Sequence, residues 1–120
     1  MEKFTVDFYS TENGKQPVKD FLMSLNPKMI AKFLKITELL ENNGEKVGMP
    51  YSRNLEKGIF EIRVISNNNI VRILYFFTKN KKIILTNGFI KKSQKTPKQE
   101  IKKALLCKKD YERRCKDESF

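Results

Sequence analysis

Residues 58–92 constrain this chain more than any other stretch. Three runs rich in Ile, Val, Phe and Tyr are separated first by Asn67-Asn68-Asn69 and then by Lys79-Asn80-Lys81-Lys82. β-Branched and aromatic runs broken by turn-forming residues are the pattern of consecutive strands, so the stretch reads as a three-strand antiparallel meander. Phase places its first turn. With Asn67 and Asn68 as the two central residues, where Asn tolerates positive φ, Arg63 faces Arg72 across the ladder. Phe60, Ile62 and Val64 then share the other face with Val71, Ile73 and Tyr75, and that apolar face is the expected core.

Two guanidinium groups directly across a ladder repel unless an anion lies between them, which suggests an anion site. A plainer reading stands beside it. Glu61, two residues from Arg63 on the same face, pairs with either arginine as a solvated surface ion pair.

The charge distribution points the same way as the arginine pair. The chain of 120 residues carries a formal charge of +11. Residues 1–50 hold seven basic and seven acidic residues, so the whole excess lies in residues 51–120. One-sided basicity of this size favours a polyanionic partner, nucleic acid or an acidic protein surface. No segment reaches the ~18 apolar residues that span a bilayer, and no signal-peptide pattern opens the chain; a cytoplasmic protein is expected. The length suits a single domain.

Histidine is absent. Ser-His-Asp and Cys-His catalysis and His-ligated zinc are therefore excluded, and proton transfer falls to Lys, Arg, Tyr or a carboxylate. Cys107 and Cys115 stand eight apart in an expected helix, about 12 Å along its axis, too far for a disulfide. Free thiols fit a reducing compartment.

Along the chain, residues 2–9 alternate so that Phe4, Val6 and Phe8 share a face, a first strand. Pro17 suits a first helical position, followed by Val18, Phe21, Leu22 and Leu25 at helical spacing. Asn26-Pro27 starts a second helix whose buried stripe is expected at Ile30, Phe33, Leu34, Thr37 and Leu40, ending at Asn42-Asn43-Gly44. The two form an αα-hairpin against the sheet. Residues 45–57 show no period and read as an irregular crossing segment. Arg53 and Lys57 within it extend the basic face of the meander. Thr96, Pro97 and Gln99 make a capping-box pattern that opens a last helix, with Ile101, Ala104, Leu105 and Tyr111 as its apolar stripe. Residues 113–120 are expected to fray.

Leu55–Val64, Val71–Tyr75 and Leu85–Pro97, in this order and spacing, resemble the phage-derived, HigB-type branch of the RelE/ParE toxin superfamily. The resemblance implies an α+β, RelE-like single domain over residues 1–120, ordered β-α-α-β-β-β-α, with a mainly antiparallel twisted sheet on a helical hairpin. It further implies a toxin that cleaves mRNA in the ribosomal A site without metal or cofactor, held inactive by a HigA-like helix-turn-helix antitoxin. The family's strand arginine falls on Arg72, a basic residue of the preceding strand on Arg63, and the basic position after the last strand on Lys91 or Lys92. Two positions depart from the family: Asn87 stands where this branch often has histidine, and Glu61 where RelE-like proteins carry lysine.

Metal-free RNA cleavage proceeds by attack of the 2′-hydroxyl on the adjacent phosphorus and needs cations on the pentacoordinate phosphorane. Arg72 is the expected stabiliser, because its planar fork holds two phosphate oxygens, and Arg63 shares that load. Lys91, Lys92 and Lys95 assist the leaving group or hold flanking phosphates. Phe89 offers a ring for base stacking or, more commonly for such a residue, belongs to the core. Tyr75 is structural before it is catalytic. On this reading Arg72→Ala abolishes toxicity and leaves folding intact, and an acidic antitoxin segment covers the basic face. It requires both guanidinium groups on one side of the sheet and open to the RNA, not locked into a carboxylate beneath a helix. The rival expectations are a ParE-like inhibitor of DNA gyrase that cuts nothing and a non-catalytic basic RNA-binding module.

Overall fold

The computed structural model describes residues 3–66, 69–91 and 95–115, with the backbone alone at Ser66 and Lys91. Its elements are β1 (Thr5–Phe8), α1 (Pro17–Met23), α2 (Pro27–Asn43), a 3-10 turn (Gly44–Lys46), β2 (Ser52–Glu56), β3 (Ile59–Ser66), β4 (Asn69–Phe77), β5 (Lys82–Lys91) and α3 (Lys98–Arg114). One mixed sheet runs β1-β5-β4-β3-β2, with β1 parallel to β5 and the other neighbours antiparallel. This is the expected α+β arrangement, with one strand more than the sequence reading allowed. Among the described residues no helix is long and apolar enough to cross a membrane.

The meander has the register that phase implied: Arg63 faces Arg72, Ile62 faces Ile73 and Phe60 faces Tyr75. The central turn residues, 67 and 68, lie outside the described residues. Ile62, Val64, Val71, Ile73 and Tyr75 form the core with Val18 and Leu22 of α1 and Phe33 and Leu40 of α2. Gly88 brings α1 close, because a Cβ there would lie 2.5 Å from the Phe21 ring. A second core lies on the other face, where Ile101 and Ala104 of α3 cover Ile59, Leu74, Phe76 and Ile84. The sheet is thus the middle of three layers.

Several expectations need correction. Residues 52–56 are not irregular but form the edge strand β2, joined to β3 by a two-residue turn with both φ positive, Lys57 at 50° and Gly58 at 82°. A short edge strand with one apolar residue carries little periodicity to read. The α2 stripe runs through Met29, Phe33, Ile36, Thr37 and Leu40, while Leu34 is 56% exposed. Positions 29, 33, 36, 37 and 40 follow the 3.6-residue repeat, and Leu34 falls outside that arc. Asn26 caps α2 as expected, its Oδ1 accepting from the Met29 N–H at 2.9 Å. Thr96 does not cap α3: the N-cap is Pro97, with no side-chain bond. Residues 113 and 114 do not fray but complete α3.

α3 is fastened at both ends. At its start Asn87 Nδ2 donates to the Glu100 carbonyl at 3.2 Å and to Glu100 Oε1 at 3.0 Å. Near its end Tyr9 Oη donates to Asp110 at 2.6 Å, and Arg113 and Arg114 donate to the same carboxylate at 2.7 and 2.9 Å. These bonds hold the Asp110 carboxyl below its usual range, the Tyr9 bond most strongly. Burial, reinforced by Asp110, pushes Tyr9 up to about 12, and burial does the same to Tyr75, whose hydroxyl meets Ser52 Oγ at 2.5 Å. A phenol whose folded pKa exceeds its unfolded value stabilises the fold fully below about pH 10 and loses that contribution as pH rises toward 12. Absorbance titration should therefore show Tyr9 and Tyr75 ionising later than a free tyrosine. Tyr9→Phe should remove one late transition and speed amide exchange in the last turns of α3.

Candidate functional site

The α3 side of the sheet has an apolar end and a charged end. α3 covers the apolar end, and the charged end lies against the approach to its first turn. There the register sets Arg53 opposite Glu61, and Arg63 opposite Arg72, with Phe89 on the far side of Arg72. Alternation along four strands points all of these side chains to one face.

Three guanidinium groups converge on one carboxylate. Arg72 Nη1 lies 3.3 Å from Glu61 Oε2, Arg53 Nη2 3.4 Å from Oε1, and Arg63 Nε 3.7 Å from Oε1. The Thr96 hydroxyl donates to Glu61 Oε2 and accepts from Arg53 Nη2 at 3.1 Å and Arg72 Nη1 at 3.3 Å, which uses all its hydrogen-bonding capacity. This explains why Thr96 does not cap α3. Glu61 and Arg72 have no exposed side-chain surface, Arg63 has 6% and Arg53 33%. Arg53 is thus the outlet to solvent.

Both guanidinium groups share one side of the sheet, as the nuclease reading required. They are not open: Arg72 is locked onto Glu61 and buried. The alternative of a solvated surface ion pair is also corrected, since Glu61 is fully buried and meets three arginines at once.

The other sequence-derived candidates are distributed differently. Phe89 is half-buried and packs on the second core, beside Arg72. Lys57 sits at the tip of the β2–β3 turn, where its carbonyl accepts from Lys108 Nζ at 3.4 Å, away from the cluster. Lys95 is exposed and adjoins Thr96 in the chain. The Lys91 backbone pairs with Ile70, and its side chain, like all of Lys92, lies outside the described residues. Sequence reasoning missed Glu61 as the hub and Thr96 as its hydroxyl partner. A carboxylate and a basic residue at alternate positions of β3 were the available signal.

Arg63 also borders a groove of about 580 Å³ between α2 and the end of β3 that β2 leaves uncovered, lined by Lys32, Lys35, Leu39, Tyr51 and Ile65. Its Nη1 reaches Met49 Sδ at 3.6 Å, and Lys32 Nζ donates to the Ile65 carbonyl at 3.0 Å. One residue is thus shared by the charged cluster and an adjacent open groove.

Removing one member of a buried ion cluster leaves the others uncompensated, at about 3–5 kcal/mol. Glu61→Gln should therefore lower unfolding stability by about 3 kcal/mol or more, and Arg72→Ala should weaken folding similarly rather than leave it intact. Arg53→Ala, at the exposed edge, should cost about 1 kcal/mol or less. Urea denaturation checks this ranking.

No curated protein gives a significant match to the chain. A family model, phage-derived protein Gp49-like (DUF891), matches residues 20–109, which run from α1 into α3 and include the whole charged cluster. That family is of the RelE/HigB type and is associated with the toxins of toxin–antitoxin systems. With the match covering most of the chain, and with the β3–β4 register and three-layer architecture described above, this protein belongs to the phage-derived Gp49-like family.

Proposed function

We propose that this chain is the toxin of a toxin–antitoxin pair and acts as an endoribonuclease on mRNA, in the ribosomal A site, until a HigA-like helix-turn-helix antitoxin neutralises it. The observation that carries this reading is the convergence of Arg53, Arg63 and Arg72 at one end of the sheet, with Arg53 partly open to solvent. Its location in the basic half of the chain supports the reading, because phosphate affinity and encounter rate both follow local positive potential.

In this reaction the 2′-hydroxyl oxygen bonds to phosphorus, its proton leaves, and the bond to the 5′-oxygen breaks. The products are a cyclic phosphate and a 5′-hydroxyl that takes up a proton. Arg53 and Arg63 meet the phosphate oxygens, while Arg72, behind Glu61, supplies field without contact. Lys91, Lys92 and Lys95 serve the leaving oxygen and the flanking phosphates, and the edge of Phe89 meets a neighbouring base. Arginine, with a pKa far above neutrality, stays protonated and so does not take the 2′ proton. Placement of the mRNA by the ribosome compensates for that weakness.

The complete burial of Arg72 favours a second reading. If the cluster is purely structural, the same fold acts through protein contacts, as a gyrase-type inhibitor, or binds RNA without cutting it. Induction in cells with mapping of mRNA 5′ ends separates these outcomes. Discrete cuts within coding regions are expected, together with cleavage of a reporter mRNA that depends on added ribosomes. Arg63→Ala should reduce cutting by about a hundredfold, the scale of losing one transition-state donor. DNA damage without cuts would refute the nuclease and support the gyrase reading.

A further inference from the structure

The groove beside Arg63 exposes apolar surface that the fold leaves uncovered. Ile36 and Val64 are buried in its lining, while Leu39 is 38% exposed, Tyr51 46% and Ile65 48%. Single exposed apolar residues are ordinary, but several meeting in one concavity mark a binding surface. The gap has a structural cause. β2 begins at Ser52, opposite Ile62, so among the described residues the last part of β3 has no strand neighbour on that side. The volume, about 580 Å³, suits several inserted side chains.

Shape and charge restrict the occupant. Lys32, Lys35, Leu39 and Asn42 line the groove along α2, and the rise from Lys32 to Asn42 is about 15 Å, close to three turns of a helix laid alongside. Lys32 and Lys35 are exposed, and Lys32 reaches across the groove to the Ile65 carbonyl. Glu38 is the one carboxylate among the described lining residues. A second copy of this chain, with its net charge of +11, would meet repulsion here. Single-stranded RNA favours stacking surfaces, and Tyr51 supplies the one aromatic ring among the described lining residues. An apolar floor beside exposed lysines instead complements a helix with one apolar and one acidic face.

We propose that this groove docks an acidic amphipathic helix of a partner protein, with the apolar face of that helix on Leu39, Tyr51 and Ile65 and its carboxylates on Lys32 and Lys35. Because Arg63 lines the groove and also meets Glu61, the docked helix closes one approach to the arginine cluster. Identifying the partner with the neutralising antitoxin rests on the function proposed above; the docking itself rests on the groove.

The test uses the intact protein and three fluorescent peptides of about four helical turns. One is an amphipathic Leu/Glu helix, the second has Lys in place of Glu, and the third is a shuffled Leu/Glu peptide without an apolar face. The first should bind saturably, at least about tenfold more tightly than the other two, and less tightly as salt rises. Leu39→Asp and, separately, Lys35→Glu should each weaken it by about tenfold with an unchanged circular dichroism spectrum. Leu106→Asp, at a 65% exposed site on α3, should not. If one groove variant fails to fold, the other decides. No preference for the acidic amphipathic peptide, or binding that no folded groove variant weakens, overturns the inference. So does a 2′-O-methyl RNA oligonucleotide, or self-association in sedimentation, that depends on Leu39 in the same way. Docking by a protein that cuts no mRNA would count against the nuclease alone, and cutting without docking would count against the groove alone.

Discussion

The Glu61 carboxylate is the point on which the charged end of the sheet depends. It contacts Arg53 of β2, Arg63 of its own strand, Arg72 of β4 and the Thr96 hydroxyl ahead of α3. Four segments of the chain are therefore tied through two oxygen atoms. Cross-strand arginines at this register would repel without it. Buried ions are costly to desolvate, so a cluster of this kind adds less net stability than its contacts suggest, while its partial removal is expensive.

α3 links this chemistry to the fold. Its apolar stripe covers the uncharged end of the sheet, and its approach supplies Thr96 to the charged end. Asn87 and Glu100 fix the first turn, and Tyr9 with Asp110 fixes the last. A helix held at both ends keeps the Thr96 hydroxyl in place beside Glu61 and Arg72. Arg53 and the groove beside Arg63 are the two sides from which the cluster can be approached. The fold thus holds this cluster largely out of solvent, with Arg53 as its most exposed arginine.

Much of this was legible in the residues. The meander, its core face and the Arg63–Arg72 pairing follow from side-chain alternation and one turn position, because a slip of one residue would turn every apolar side chain to the wrong face. The αα-hairpin was legible from Asn26-Pro27 and Gly44. β2 was not, since an edge strand of sequence Ser-Arg-Asn-Leu-Glu has almost no apolar alternation. Leu34 was misplaced because chemical type outweighed its angular position on α2. Thr96 fits a capping box, yet its hydroxyl bonds a carboxylate 35 positions away, and local motifs carry no information about such a competitor.

By itself the sequence determined the order of most elements, the strand register, the sidedness of the two meander arginines and the concentration of positive charge in the second half. These depend on periodicity and composition, which are local or additive. Only the tertiary structure decided that Arg53 joins Arg63 and Arg72, that one carboxylate serves all three, and that Arg72 is sealed from water. Burial and many-body electrostatics arise from segments distant in the chain, so no spacing along it encodes them directly.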